Sequence, residues 1–269
     1  MTTAPTCINC AYPLSNLATS GVCPECGAPA SASARVEQLR DSSLGYLRSV
    51  RTGVRLQVVG MLGIFAVLPG EAFDLNPAAA RAADIVVLGF TLATCVGGWL
   101  IASADPGRAN DEVFTRLTVR TRAWTIVAAS AETAAELQRM VLQGTLSSVV
   151  ASLGTLVGMG AAIYVCVTLA SLARRTTNAQ LMGRSSRLVK LARAAFVGMA
   201  ILTGLDFALQ SLAPPSALLD VGFMVCALFL LLLMLAYLIS SIQVAIGFLR
   251  ELRAAIAHQR ALESTPTPS

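Results

Sequence analysis

Residues 217–246 read A-L-L-D-V-G-F-M-V-C-A-L-F-L-L-L-L-M-L-A-Y-L-I-S-S-I-Q-V-A-I, and this run sets the fold class. It exceeds the roughly 20 apolar residues that a helix needs to cross a bilayer. Working back along the chain, Leu146–Ala170 and Asp84–Ala104 have the same character, and Leu56–Phe73 is a shorter version closed by Pro69 and Gly70. Ala194–Leu212 is a fifth such segment, interrupted by Asp206. Whole-chain composition agrees: 55% of residues are hydrophobic and 13% are charged, with a mean hydropathy of +0.68. An ordinary soluble domain carries about 25% charged residues. Pro69, Pro77, Pro214 and Pro215 fall between neighbouring segments, where a helix must stop, so short connectors join antiparallel hairpins. The sequence therefore predicts an all-α multi-pass transmembrane bundle of five to six spans, organised as hairpins, in the inner (cytoplasmic) membrane.

The twenty Lys and Arg residues discriminate between topologies. With five crossings they divide ten against ten, which gives no orientation under the positive-inside rule. A sixth crossing between Arg122 and Leu142 puts eighteen on one face and leaves only Arg81 and Arg139 on the other. A faint internal repeat points the same way: V-V-G-M at 58–61 and F-V-G-M at 196–199 stand at one offset after Arg55 and Arg193. Hairpins oriented alike are separated by an even number of crossings. Against this stand Glu132, Glu136 and Arg139, each costing on the order of 3 kcal/mol at the centre of a span. Thr133 and Glu136 also form a capping-box pattern that would restart the helix in the interface.

The N-terminus carries a different signal. Cys7 and Cys10 stand as C-I-N-C, and Cys23 and Cys26 as C-P-E-C-G after twelve intervening residues. Two such knuckles brought opposite each other supply the four thiolates of a closed tetrahedral zinc site, with no position left for water or substrate. Pro24 stiffens the second turn and Gly27 supplies its positive φ; a pair of disulfides is the alternative. One structural zinc ion is thus the expected cofactor, held by Cys7, Cys10, Cys23 and Cys26. The string C-I-N-C-A-Y-P-L-S-N-L followed by G-V-C-P-E-C-G resembles the N-terminal ribbon of bacterial multi-pass membrane proteins, written C-x-x-C-G-Y-x-L, a spacer, then G-x-C-P-E-C-G. Tyr12 and Leu14 match packing positions, and Ala11 departs from the usual glycine. The resemblance is close over residues 5–30 and implies no reaction or substrate.

The domains that follow are a zinc ribbon at 1–30, a linker and basic amphipathic helix at 31–55, a transmembrane domain at 56–247, and an amphipathic extension with a disordered tail at 248–269. In the basic helix Val36, Leu39, Leu47, Val50 and Val54 share a face; in the extension Ile242, Ile246, Leu249, Leu252 and Ile256 do. The arginines beside the first span place the ribbon on the cytoplasmic side.

Enzymatic chemistry is disfavoured by inventory. The single histidine, His258, lies in the extension, and no P-loop, G-x-S-x-G or H-E-x-x-H pattern occurs. Aromatics make up 6% of the chain, so stacking platforms for nucleic-acid bases are not apparent. Asp206, with Glu132 and Glu136, forms the candidate intramembrane polar site, since a carboxylate in hydrocarbon is by default a functional candidate; the alternative is that Asp206 reaches the interface or bonds a neighbouring Ser or Thr. Gly154 and Gly158 make a G-x-x-x-G spacing for helix packing, within the chain or in an oligomer. Two readings follow. In one, the ribbon docks a partner, protein or nucleic acid, and the protein is an interaction or scaffold module in the bilayer. In the other, the carboxylates line the path of a small transporter or channel. A dry bundle would favour the first; a polar cavity enclosing the carboxylates would favour the second.

Overall fold

The structure is a computed structural model. It describes residues 7, 12, 14, 21–27, 39, 42–71, 77–105, 112–141, 145–176, 178–212 and 217–264. Side chains at 68–71, 77–81, 136, 137, 139–141, 145–151, 206–212, 217–223 and 227 are outside the description.

Six helices account for the described regular structure: α1 Leu44–Glu71, α2 Pro77–Ile101, α3 Glu112–Val141, α4 Thr145–Ala173, α5 Ala179–Leu212 and α6 Ala217–Ser264. No strand occurs among the described residues. Five of them contain stretches long and apolar enough to cross a membrane: Leu44–Val67, Ala82–Ile101, Ser152–Ala173, Ala179–Leu205 and Met224–Ser264. This makes the chain a multi-pass membrane protein by length and composition. Helices suit that setting because every backbone N–H and C=O finds its partner within the segment.

Local chemistry sets the starts. Ser43 caps α1, its Oγ accepting from the Tyr46 N–H at 3.4 Å, and Asn178 caps α5, its Oδ1 accepting from the Leu181 N–H at 3.1 Å. Pro77 occupies the first position of α2, where its missing N–H costs nothing. The division expected at residue 55 falls inside α1, which runs unbroken from Leu44. Leu47, Val50 and Val54, the shared apolar face of the basic helix, are fully buried in the bundle core, and the helix leads straight into the first apolar stretch. The interfacial restart expected at Thr133 is not present. α3 is continuous there, and the Thr133 hydroxyl donates back to the Ala129 carbonyl at 2.7 Å.

Glycines fix the closest helix contacts. A Cβ on Gly53 would lie 2.7 Å from the Gly97 carbonyl oxygen, and one on Gly60 would meet the Phe90 carbonyl oxygen at 2.6 Å. Position 53 thus pairs with 97 and position 60 with 90, so α1 and α2 run in opposite directions. Gly154 and Gly158 turn towards α3 of the same chain, meeting Ala135 and Glu132. Thr121 bonds Thr168 at 2.9 Å, and Trp124 stacks on Tyr164 with ring centroids 5.6 Å apart. Positions 121, 124, 132 and 135 of α3 therefore pair in reverse order with 168, 164, 158 and 154 of α4. On α3's other flank, the Arg122 guanidinium lies 4.9 Å over the Trp99 ring of α2. Gly198 against Leu230 and Gly247 against Leu181 give the same reversal for α5 and α6. α1 also packs on α6, and the ring of six closes.

Inside, the core gathers Leu47, Val50, Val54, Ile101, Leu172, Leu188, Val244, Phe248 and Leu252, each at most 1% exposed. Outside, Val59, Leu62, Ile85, Val96, Ile201 and the run Leu228–Leu232 apart from buried Leu230 stand exposed, an apolar exterior suited to lipid. The buried register of the C-terminal extension is Val244, Phe248, Leu252, Ala255 and Ile256. Ile246, assigned to that face by sequence, is 47% exposed. The helix is rotated by its seat between α1 and α5, where Gly247 admits the Leu181 side chain.

Candidate functional site

Three of the four ribbon cysteines come together. The Sγ atoms of Cys7, Cys23 and Cys26 all lie within 4.8 Å of one another, and Cys7 Sγ is 3.5 Å from Cys26 Sγ. Cys10 lies outside the described residues. The second knuckle closes with Gly27 N–H donating to the Cys23 carbonyl at 2.8 Å, while Cys7 N–H donates to the Tyr12 carbonyl at 2.8 Å. Gly27 has φ of +70°, the left-handed conformation glycine adopts without strain. Leu14 packs with Cys7 and Cys23, all three buried. No disulfide joins the described cysteines. The arrangement is able to hold a metal ion.

The second site lies in the bundle. All six helices contribute to a cavity of about 380 Å³, within the few hundred to 1,000 Å³ typical of small-molecule sites. On the five helices other than α3 its residues fall within the apolar stretches, from Gln57–Phe65 on α1 to Met234 and Tyr237 on α6. It exists because small side chains face one another there: Ala128 on α3, Gly158, Ala161 and Ala162 on α4, Ala192 and Ala195 on α5. Four methionines and Phe65 are among the larger side chains of the remaining wall.

Glu132 is the acidic residue of this lining. Gly158 makes room for it, since a Cβ there would sit 2.8 Å from Glu132 Oε1. Two of the hydroxyls around it have already committed their protons. Thr94 donates its single hydroxyl proton to the Thr91 carbonyl at 2.7 Å, and Thr125 donates to the Arg122 carbonyl at 2.8 Å. Both hydroxyls keep only lone pairs to offer elsewhere. Gln57 Oε1 is buried with no hydrogen-bond partner among the described residues. Thr91, Cys95, Thr155 and Tyr237 complete the described polar set.

Towards the end of the bundle near Leu44 the interior narrows and then closes. A void of about 20 Å³ between Val54, Ile101, Leu169, Leu188 and their neighbours is just large enough for one water. Beyond it, Arg175 donates from Nη1 to Asp105 Oδ2 at 2.6 Å and from Nη2 to Ser42 Oγ at 2.9 Å. Ser42 in turn donates to Asp105 Oδ2 at 3.2 Å. The Arg175 carbonyl accepts from Leu39 N–H at 3.1 Å. One buried cluster thus joins the segment before α1, the end of α2 and the end of α4.

Of the sequence-predicted residues, Glu132 enters the cavity, while the side chains of Glu136 and Asp206 lie outside the description. Cys226 is exposed on the outer surface, and His258 is exposed on the extension. Sequence reasoning missed Gln57, Thr94, Thr125, Ser42, Asp105 and Arg175. For Gln57 a signal existed, a polar side chain inside an otherwise apolar run. No protein-family model, curated protein or solved structure matches this chain.

Proposed function

We propose that the protein is a transporter- or channel-like membrane protein with six crossings, which admits a small solute to the central cavity beside Glu132. The carrying observation is the cavity itself: a dry bundle would have favoured an interaction module, and about 380 Å³ lined by Glu132 and hydroxyls favours a solute path. The sixth crossing is α3. It packs between α2 and α4 at their depth, and its outward residues Ile126 and Val127 are 52% and 50% exposed, as lipid contact requires. Eighteen of the twenty basic residues then share the cytoplasmic face with the ribbon. The helices form three hairpins, and the first and third are oriented alike. Sealed at the ribbon end by Arg175, Asp105 and Ser42, the bundle is in a state closed to the cytoplasm.

In the ribbon, the metal is one structural zinc held by Cys7, Cys10, Cys23 and Cys26. The 3.5 Å separation of Cys7 and Cys26 sulfurs is close to the tetrahedron edge of about 3.8 Å that zinc–sulfur bonds of about 2.3 Å impose. The ribbon also supports a docking role, because Val22 and Tyr12 present apolar surface at 60% and 38% exposure. A pulldown comparing intact and ribbon-deleted chains tests that role.

The solute path is tested on Cys95, a native thiol in the cavity wall. In a background retaining only Cys95, reconstituted in liposomes, a small hydrophilic thiol reagent reacts with it. Cys226 retained alone, exposed on the lipid-facing surface, does not. A Cys95 as inert as Cys226 would mean a dry bundle and would return the protein to the interaction-module reading.

A further inference from the structure

The geometry points to an organic ammonium ion with an apolar body as the ligand class of the central cavity. This rests on the solute-path reading and deepens it. Charge gives the first argument: among the described residues the lining contains the acid Glu132 and no lysine, arginine or histidine, so its field attracts a cation and opposes an anion. Hydrogen bonding gives the second. Thr94 and Thr125 have committed their protons to their own helices, and the Gln57 carbonyl oxygen is buried without a donor among the described residues. With the Glu132 carboxylate, these three acceptors are complementary to a ligand that brings N–H donors.

The rest of the wall decides between an organic and an inorganic cation. A bare metal cation of this charge class wants a tight cage of oxygens, about 2.3–2.6 Å away in the case of calcium. Here Met61, Met159, Met199, Met234, Phe65 and Tyr237 surround a space of about 380 Å³. Thioethers and aromatic faces are soft, adaptable surfaces for an apolar group, and aromatic rings also attract cations. The ammonium end belongs beside Glu132, where Gly158 leaves the carboxylate its room.

The test uses full-length protein in mild detergent and equilibrium dialysis with three probes of one shape: naphthylmethylammonium, naphthylmethanol and naphthoate. The ammonium binds about tenfold or more tightly than the alcohol, the gain of a charge-assisted hydrogen bond over a neutral one. Naphthoate binds weakest. Glu132→Gln, which keeps shape and removes charge, lowers ammonium binding to the alcohol's level and leaves the alcohol unchanged. Gly158→Ala, which displaces the carboxylate, weakens the ammonium selectively. Ala195→Trp fills the cavity and removes binding of all probes. Equal binding of ammonium and alcohol that ignores Glu132→Gln overturns the cation inference while the cavity stands as a solute site. Tightest binding of naphthoate does the same. Absence of binding by every probe, or binding that survives Ala195→Trp, overturns the solute-path reading with it.

Discussion

Arg175 and Asp105, 70 residues apart in sequence, form an ion pair of 2.6 Å whose side chains are each 1% exposed. Arg174, its neighbour, is exposed. Two adjacent arginines at the end of one span thus have different jobs: Arg174 belongs to the basic rim, and Arg175 joins three chain segments under the apolar core. Desolvating such a pair is costly, so its net contribution to stability is small, but removing one partner leaves a buried charge.

From this follows a ranking of substitutions. Arg175→Ala or Asp105→Ala destabilises the protein by about 3–5 kcal/mol, the cost of an orphaned buried ion. Ser42→Ala costs about 1–3 kcal/mol through an unsatisfied partner. Arg116→Ala, which removes an exposed pair with Glu112 one helical turn away, costs at most about 0.5 kcal/mol. Thermal unfolding in detergent orders the variants; Arg116→Ala as damaging as Arg175→Ala would remove the structural role of the cluster.

Hydropathy made α1, α2, α4, α5 and α6 legible, since each contains an apolar stretch of span length. α3 shows no such stretch among the described residues: its sequence mixes Ile126 and Val127 with Glu132, Glu136 and Arg139, and only the charge count argues for it as a crossing. The cysteine knuckles were plain because their spacing is local. Asp105 and Arg175 were not, because each looks like ordinary loop charge until the fold brings them together. The cavity was equally hidden. Alanines and glycines at 128, 158, 161, 192 and 195 are common in membrane helices, and only their convergence on one level opens a space. Gly97 lies in an apolar run, where a glycine reads as a packing residue, but its partner Gly53 sits among arginines and carries no such signal.

The glycine crossings differ in what they tolerate. Gly53→Ala and Gly97→Ala each put a methyl within 3 Å of backbone atoms on the facing helix, so α1 and α2 must separate, at about 1–3 kcal/mol. Gly183→Ala meets nothing within 4 Å and gains up to about 1 kcal/mol of helix propensity. Melting temperatures that fall for positions 53 and 97 and hold or rise for 183 agree with the packing; the reverse order would place the α1–α2 contact wrongly.

For the ribbon, metal analysis of reductively purified protein gives about one zinc per chain. Cys23→Ser loses the zinc together with ribbon order, read as protease sensitivity before residue 39, and leaves the membrane bundle folded, because zinc binding and ribbon folding are one equilibrium. Zinc-free protein with its N-terminal cysteines paired as disulfides would reverse the metal assignment.

The proposed function depends most on α3 crossing the membrane, since a solute path beside Glu132 requires that residue to lie within the bilayer. Cysteine labelling in intact cells decides it, in a cysteine-depleted background with one cysteine placed at Gly144 or at Ser186, the latter an exposed position on α5. Six crossings require Gly144 to label from outside and Ser186 only after the inner face is opened. Gly144 labelled from the cytoplasm and Ser186 from outside would give five crossings, take α3 out of the bilayer, and contradict the account at its centre.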